Sequence, residues 1–382
     1  LNSFPDSDWS FPFCPTPPEW FLNWSTIFNH FEWIRQMVGI PQDLEFHAEG
    51  NVCIHTKMVA RCLTNLKEWR EKSETERAIL FAAALLHDAG KVVCTKKDSD
   101  GRISSRGHAR IGASLSRRYL WGMKSVPSIH IREAIVSLVR FHGLPLWFWE
   151  RDEPEREIFA ASQAVPLEWV ALLVEADVRG RICRDKKELL ERVDWFREYC
   201  RELQCYHGPR KFPNVHTRFR YFQEIQRDPG YQAYEDHSFE VVLMSGLPGV
   251  GKDTWIRQHV QEWPVISLDQ IRKEAGISPN DSQGQVIQEA KEQARKWMRQ
   301  QRSFVWNATN ITRHLRRPLI RLFASYGARI RIVYLDASPG TVISRNRRRK
   351  DPVPEEVIRK LVRKLEVPDS TEAHQVDWVD CE

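Results

Sequence analysis

Residues 239–260 read FEVVLMSGLPGVGKDTWIRQHV, and this stretch decides the fold of the C-terminal part of the chain. The run FEVVLM, 239–244, is short, apolar and continuous, as in a strand buried on both faces. A glycine-rich turn follows at once, and then a helical pattern over 254–260. In that turn Gly246, Pro248, Gly249 and Gly251 shape a loop whose backbone N–H groups converge on phosphate oxygens. The dipole of the helix behind it adds to the attraction. Lys252 is placed to reach the outer phosphates of a nucleotide.

Working outward, apolar runs recur at 265–268 (VISL), 303–306 (SFVW), 328–335 (ARIRIVYL) and 375–379 (QVDWV). Helical stretches lie between them, notably 284–301 and 354–365. Strands alternating with helices predict an α/β P-loop domain with a parallel sheet over residues 238–382. One position departs from the P-loop pattern. The usual hydroxyl residue after the lysine is Asp253 here, followed by Thr254. A carboxylate can hold Mg2+ directly or through water, but it also brings negative charge to the phosphates.

The next strand ends in SLDQIR, 267–272. A strand end in this fold faces the crevice beside the phosphates. Asp269 is therefore either a base for an attacking hydroxyl or a helix N-cap. Arg272 is a candidate contact for an acceptor phosphate. WNATN, 306–310, offers Asn307, Thr309 and Asn310 at the crevice mouth, with Arg313, Arg316 and Arg317 at the next helix start. SRNRRRKDPVP, 344–354, sets Arg345 and Arg349 four apart on a short helix, with Arg348 between. That helix is either an arginine lid stabilising transferring charge or a basic exposed face. Between Arg313 and Arg349 there are ten arginines and a single acid, Asp336, a block that favours phosphate-bearing partners.

Upstream, DPGYQAYEDHS at 228–238 is the best linker. Before it the pattern is helical: segments 49–70, 74–87, 107–122, 128–141, 164–180 and 185–204 carry apolar residues at helical spacing. An all-α domain is expected over 19–230, preceded by an extended arm over 1–18 rich in Pro, Ser and aromatics. The helix AILFAAALLHDAGK ends on His87 and Asp88, with Lys91 just beyond. An imidazole and a carboxylate at the end of so apolar a helix are costly unless paired or bound to metal. His55, His108, His142 and Asp177 also fall in helical contexts, and His with Asp suits transition-metal or Mn/Mg-type ions. Trp147, Phe148 and Trp149 follow His142; they can stack a base, though core packing is the safer reading.

Length and composition fit this division. The chain has 382 residues, 42% hydrophobic and 28% charged, with a net charge of +6. No run of about 18 apolar residues is present, and the first residues lack the pattern of a secretory signal. The eight cysteines form no CxxC pair and read as free thiols of a reducing compartment. A cytoplasmic protein without a membrane partner is expected.

The motifs carry resemblances. GLPGVGK, SLDQIR and the arginine lid together resemble the 5′-OH polynucleotide kinase family. That resemblance implies Lys252 as phosphate ligand, Asp269 as general base, Arg272 as acceptor contact and Arg345 and Arg349 as lid residues, with ATP or another NTP and Mg2+. The order H…HD…H…H…D resembles the HD phosphohydrolase superfamily. It implies a primary metal site of His55, His87, Asp88 and Asp177. His108 and His142 form a second site bridged by Asp88, or else bind substrate phosphate; two ions are favoured. One or two divalent ions such as Mn2+, Co2+, Ni2+, Zn2+ or Fe2+ are implied. ADVRGR, 176–181, is similar to the HD domain attached to bacterial CCA-adding tRNA nucleotidyltransferases, which makes Lys91 and Arg179 candidate phosphate ligands; for Arg181 a surface ion pair is an equal reading. Both halves in this order resemble the bacterial HD-phosphohydrolase–polynucleotide kinase enzymes of RNA end healing. The resemblance implies RNA ends as substrate, with DNA as an alternative strand, and a separate ligase to seal them. Two rivals stand beside it: a nucleotidase fused to a small-molecule kinase, and a regulatory NTP-binding module with an active hydrolase. A weaker third has the HD domain acting on cyclic dinucleotides or (p)ppGpp.

Overall fold

A computed structural model describes residues 9–99, 101–224, 227–278 and 281–382. The chain divides into two compact units, Leu1–Lys211 and Phe212–Glu382.

The first unit is helical. Its main helices are α1 (Val52–Asn65), α2 (Glu74–Leu86), α3 (His108–Trp121), α4 (Ile129–Phe141), α5 (Leu167–Gly180) and α6 (Lys186–Glu202). Short helical turns join them, with one small antiparallel hairpin pairing Lys96–Lys97 with Ile103–Ser104. α2 opens in a reciprocal cap between Ser73 and Glu76. From Ala78 to Leu86 every one of its residues is buried, so it is a core helix rather than an amphipathic one. α5 is buried nearly all round as well and packs on α1, α2, α4 and α6. The expected arm does not stand free where it is described: Phe11 is buried, stacked on Phe31 and edge-on to Phe81 of α2. Residues 1–8 lie outside the described residues.

The second unit begins earlier than the sequence suggests. The segment 212–230 was expected to belong to the helical domain, yet its helix α7 (Val215–Gln223) joins the second core. Phe219 packs in that core and stacks on His374, ring centroids 4.0 Å apart. Arg218 donates to the His374 carbonyl at 2.7 Å, and Gln223 donates to the carbonyls of Thr371 and Glu372. The linker expected at 228–238 is tied down too: Asn214 donates to Ala233 O at 2.8 Å. An amphipathic helix records that it needs a core, not which core it joins.

Five strands follow: β1 (Glu240–Ser245), β2 (Val265–Ser267), β3 (Phe304–Asn307), β4 (Arg329–Asp336) and β5 (Gln375–Asp380). All pairings are parallel, in the order β2-β3-β1-β4-β5. Each connection carries at least one helix: α8 (Lys252–His259), α9 (Leu268–Glu274) with α10 (Gly284–Arg299), α11 (Arg313–Ala324), and α12 (Pro339–Arg347) with α13 (Glu355–Lys364). The chain leaves β1 for the β2 edge, returns through β3, and crosses to β4 on the other side of β1. The carboxyl end of β1 is thus the switch point where open α/β sheets bind ligands.

Candidate active sites

In the helical unit the sequence-chosen residues meet. Most sit at helix ends, where a side chain can turn inward. His87 and His142 cap α2 and α4, His108 opens α3, and Asp177 lies in the last turn of α5. His55 comes from the first turns of α1, whose start is capped by Asn51. Gly90 allows the meeting: any side chain there would strike the His108 carbonyl at 2.0 Å, so α3 could not close on the His87–Asp88 turn.

The imidazoles share one arrangement. Nδ1 of His87, His108 and His142 each lies 2.8 Å from a backbone carbonyl, of Ala84, Ser105 and Val139. Each Nδ1 therefore carries the proton, and the Nε2 lone pairs face inward. They converge: His87 Nε2 is 3.3 Å from His55 Nε2, and His108 Nε2 is 3.1 Å from His142 Nε2. Two lone pairs at such range repel unless a cation or proton lies between them. Asp88 supplies the anion, with Oδ2 at 3.3 Å from His87 and 3.7 Å from His55, and Oδ1 at 3.6 Å from His108. Asp177 Oδ1 stands 3.0 Å from His55 Nε2. His55, His87 and Asp88 form one metal-sized triad; Asp88, His108 and His142 form another. This donor set fits divalent metal, with Asp88 common to both triads and tautomers fixed from outside, as ligating histidines require.

The charges agree. Burial alone would raise the Asp88 carboxyl, but Lys91, His87 and His108 hold it well below the usual carboxylate range. Burial opposes ionisation of Asp177 too, and Arg181, His55 and His87 overcome it. Burial, with His108 and His87 alongside, pushes His142 down to about 3. His87 moves upward despite burial because Asp88 and Asp177 call for positive charge there.

Lys91 lies at the cluster, with Nζ 2.8 Å from Asp88 and 2.7 Å from Gln42 Oε1. Arg179 does not. Its side chain is about half exposed and paired with Glu175 at 2.7 Å, away from the cluster. Arg181, one helical turn beyond Asp177, sits at the cluster instead, with its guanidinium on both Asp177 carboxylate oxygens at 2.5 and 3.1 Å. Sequence reasoning also missed Gln42, His47 and Glu49. Glu49 Oε1 lies 2.7 Å from His55 Nδ1 and 2.8 Å from His47 Nδ1. Of the three aromatics after His142, Phe148 enters the core, while Trp147 and Trp149 stay partly exposed.

In the second unit the phosphate loop has the expected form. Gly246, Gly249 and Gly251 adopt φ of 144°, 83° and 113°. Lys252 Nζ donates to the carbonyls of Gly246 and Leu247 at 3.0 and 2.9 Å. Burial lowers its ammonium to about 8, against the pull of Asp253 and Asp269 and with the push of Arg349. The charges of the loop, the β2 end and the arginine segment therefore act on one amine. Asp253 Oδ1 accepts from Asn307 Nδ2 at 2.7 Å, so the unusual carboxylate is oriented by the end of β3. Thr309 and Asn310 brace the loop itself: Thr309 O accepts from Gly246 N at 2.9 Å, and Asn310 Nδ2 donates to Met244 O at 2.8 Å. Thr254 is exposed, on the first turn of α8.

Asp269 is not the cap of α9; Ser267 is, accepting from Gln270 N. Asp269 is left to face Arg272, 2.6 Å away, and its side chain is 65% exposed. The arginines divide. Arg345 is half-buried and donates to Cys381 O at 2.6 Å and Val250 O at 3.4 Å, bridging the phosphate loop to the β5 end. Arg348 caps α12 and Arg349 lies beyond it, so Arg345 and Arg349 do not share one helix. Arg316 does not line the crevice: it is fully buried and bidentate to Glu372, at 2.7 and 2.8 Å. Arg317, Arg348 and Arg349 are exposed without an ion pair among the described residues.

A third histidine cluster, His216, His237 and His374, also lies in this unit. Ile330 N donates to His374 Nδ1 at 3.0 Å. The His374 proton is therefore on Nε2, which donates to His216 Nδ1 at 3.0 Å. That pair is a closed hydrogen bond, not an open ligand set.

Comparison with known proteins agrees with this division. The HD domain family matches residues 52–161, and the AAA domain family matches residues 241–368. A crystal structure of a gluconokinase from Sinorhizobium meliloti 1021 is similar over 37% of this chain and 82% of that one, at 19% identity and a TM-score of 0.29. The chain joins an HD domain to a P-loop, kinase-like domain. Among the described residues no single helix is long and apolar enough to cross a membrane.

Proposed function

We propose that this chain is a bifunctional RNA end-healing enzyme. The HD unit removes a 2′,3′-cyclic phosphate or 2′-phosphate from one end of a broken strand. The P-loop unit transfers the NTP γ-phosphate to a 5′-OH at the other. A separate ligase then has two competent ends to join, and a cytoplasmic setting suits the NTP supply and eight free cysteines.

The observation that carries the reading is the pair of complementary sites in one chain, with an open acceptor side on the second. Asp269 is 65% exposed, while Arg272, paired with it, is 23% exposed. A small-molecule site buries most of its ligand; an open acceptor pair admits the end of a long chain. The exposed Arg317, Arg348 and Arg349 suit a phosphate backbone.

In the HD unit His55, His87, Asp88 and Asp177 would hold one ion, and Asp88, His108 and His142 a second. Divalent metal bound there would supply Lewis acidity to a phosphoryl oxygen. Lys91 and Arg181 hold the carboxylates in place and lend positive charge to the phosphoryl group. In the P-loop unit the loop amides and Lys252 would cradle the NTP phosphates, and Asp253 would be a candidate to hold Mg2+. Arg272 exchanges Asp269 for an acceptor phosphate, which frees Asp269 to take the 5′-hydroxyl proton. Arg345 donates to Val250 O of the loop, and the charge of Arg349 acts on Lys252.

Incubating an RNA with 5′-OH and 2′,3′-cyclic phosphate ends with ATP and divalent metal, and reading both ends, tests the proposal. Both ends should change. His87→Ala should abolish only the hydrolytic step and Asp269→Ala only the phosphorylation. If a free nucleoside accepts phosphate better than the oligonucleotide, the small-molecule reading replaces this one.

A further inference from the structure

We propose that Glu49 is a positioning residue of the HD cluster that governs the first ligand triad and leaves the second alone. The proposal rests on the reading of that cluster as a metal site.

The histidines are not held alike. His87, His108 and His142 take their tautomer from a carbonyl of the preceding turn or loop, so their orientation is set by the local backbone. His55 has no such acceptor. The group at its Nδ1 is the carboxylate of Glu49, at 2.7 Å. Glu49 is reached from outside the helix, on the loop before α1, and its side chain is 1% exposed. A buried carboxylate needs donors on both oxygens. Oε1 is hydrogen-bonded to His47 Nδ1 and lies in ion-pair contact with His55 Nδ1 at 2.7 Å, and Oε2 accepts from Ile182 N at 2.8 Å.

That last bond gives Glu49 its reach. Ile182 follows Arg181, whose guanidinium holds Asp177. The adjoining Ala48 N donates to Ile182 O at 2.9 Å. One carboxylate therefore ties His55, on α1, to the segment that fixes Asp177, at the end of α5. Its charge, 2.7 Å from Nδ1, favours the proton there and leaves Nε2 toward Asp177 and His87. Partners of this kind raise ligand basicity, and their loss weakens metal binding roughly 10–100-fold. Nothing in the second triad touches Glu49.

Co2+ uptake by the full-length chain, followed by equilibrium dialysis and elemental analysis, tests this. Wild type should take up roughly two equivalents per chain at the cluster. Glu49→Ala should lose one of them, its affinity falling roughly 10–100-fold, and Glu49→Gln should lie between. In a His142→Ala background, which disables the second triad, Glu49→Ala should weaken the remaining uptake by the same roughly 10–100-fold. Helix content and melting temperature are measured in parallel, with Glu49→Gln as the isosteric variant. If Co2+ curves match wild type, whether or not melting falls, Glu49 is only a structural brace and the proposal fails. If wild type takes up no more Co2+ than Asp88→Ala, the metal reading itself fails.

Discussion

Burial lowers the Lys252 ammonium to about 8, so its charge changes as pH passes through that value. Phosphate oxygens favour the protonated amine, so nucleotide binding takes up a proton wherever the free lysine is neutral. Affinity should be flat below pH 8 and fall as pH rises through it, by up to about tenfold, or ~1.4 kcal/mol, per unit. Calorimetric titration with ATP at pH 7, 8 and 9 checks the slope; Lys252→Arg, which stays charged, should flatten it. In the HD unit a residue-level exchange is equally direct. Arg179→Ala should leave phosphohydrolysis near wild type, while Arg181→Ala should lower it roughly tenfold or more by releasing Asp177. Comparing rates on a 2′,3′-cyclic nucleotide decides this, and equal losses would contradict the geometry. The six ligand candidates were legible because His and Asp are conspicuous on apolar helices. Their supports were not. Glu49 is an ordinary glutamate in a loop, and its partner Ile182 is 133 residues away. Arg181 did carry a signal, since a spacing of four from Asp177 puts both on one helix face, whereas Arg179 at a spacing of two does not share it.

At the scale of elements, the phosphate loop depends on α12 behind it. A Cβ on Gly249 would come within 2.9 Å of Val342 O and 3.2 Å of Asn346 Cβ, at a φ of 83° that side chains disfavour. Gly249→Ala should therefore push the loop off α12 and weaken ATP binding at least tenfold. At Gly251 the space is open, and only the φ of 113° opposes a side chain, so Gly251→Ala should be the milder change. ATP titration of the two variants ranks them; the reverse order would refute the account. The second dependency is the buried pair Arg316–Glu372, which pins α11 to the segment before β5. Removing one partner strands a charge in the core, so Arg316→Ala should cost about 3–5 kcal/mol in urea unfolding. Arg316→Met with Glu372→Leu should cost far less than the two single changes together. The sequence read the strands well because the central ones, β1, β3 and β4, are short apolar runs largely buried on both faces, while the edge strands β2 and β5 are only partly buried. It misplaced Arg316 because an arginine in a basic block looks the same whether solvated or buried; its acid is 56 residues away.

At the scale of the molecule, the consequential finding is where one unit stops and the next starts. A composition change near 238 marks the first strand, but the second core begins at Phe212. α7 gives Phe219 to that core, and Arg218 and Gln223 hold the 371–374 segment by its carbonyls. That segment carries Glu372, the partner of Arg316, and His374, which burial and its imidazole neighbours His237 and His216 push to about 2. A neutral, buried His374 under Phe219 means α7 is a lid on the sheet's end rather than a tail of the helical domain. A fragment starting at residue 238 would therefore expose the Phe219 site, leave the 371–374 carbonyls to water and loosen the Arg316–Glu372 pair. The fragment 212–382 should fold cooperatively and bind ATP, while 238–382 should melt well below it or aggregate. Circular dichroism melts and ATP titration of the two fragments side by side decide the matter. Equal stability would mean that α7 merely rests on the second unit, and the boundary would return to the composition change that first suggested it.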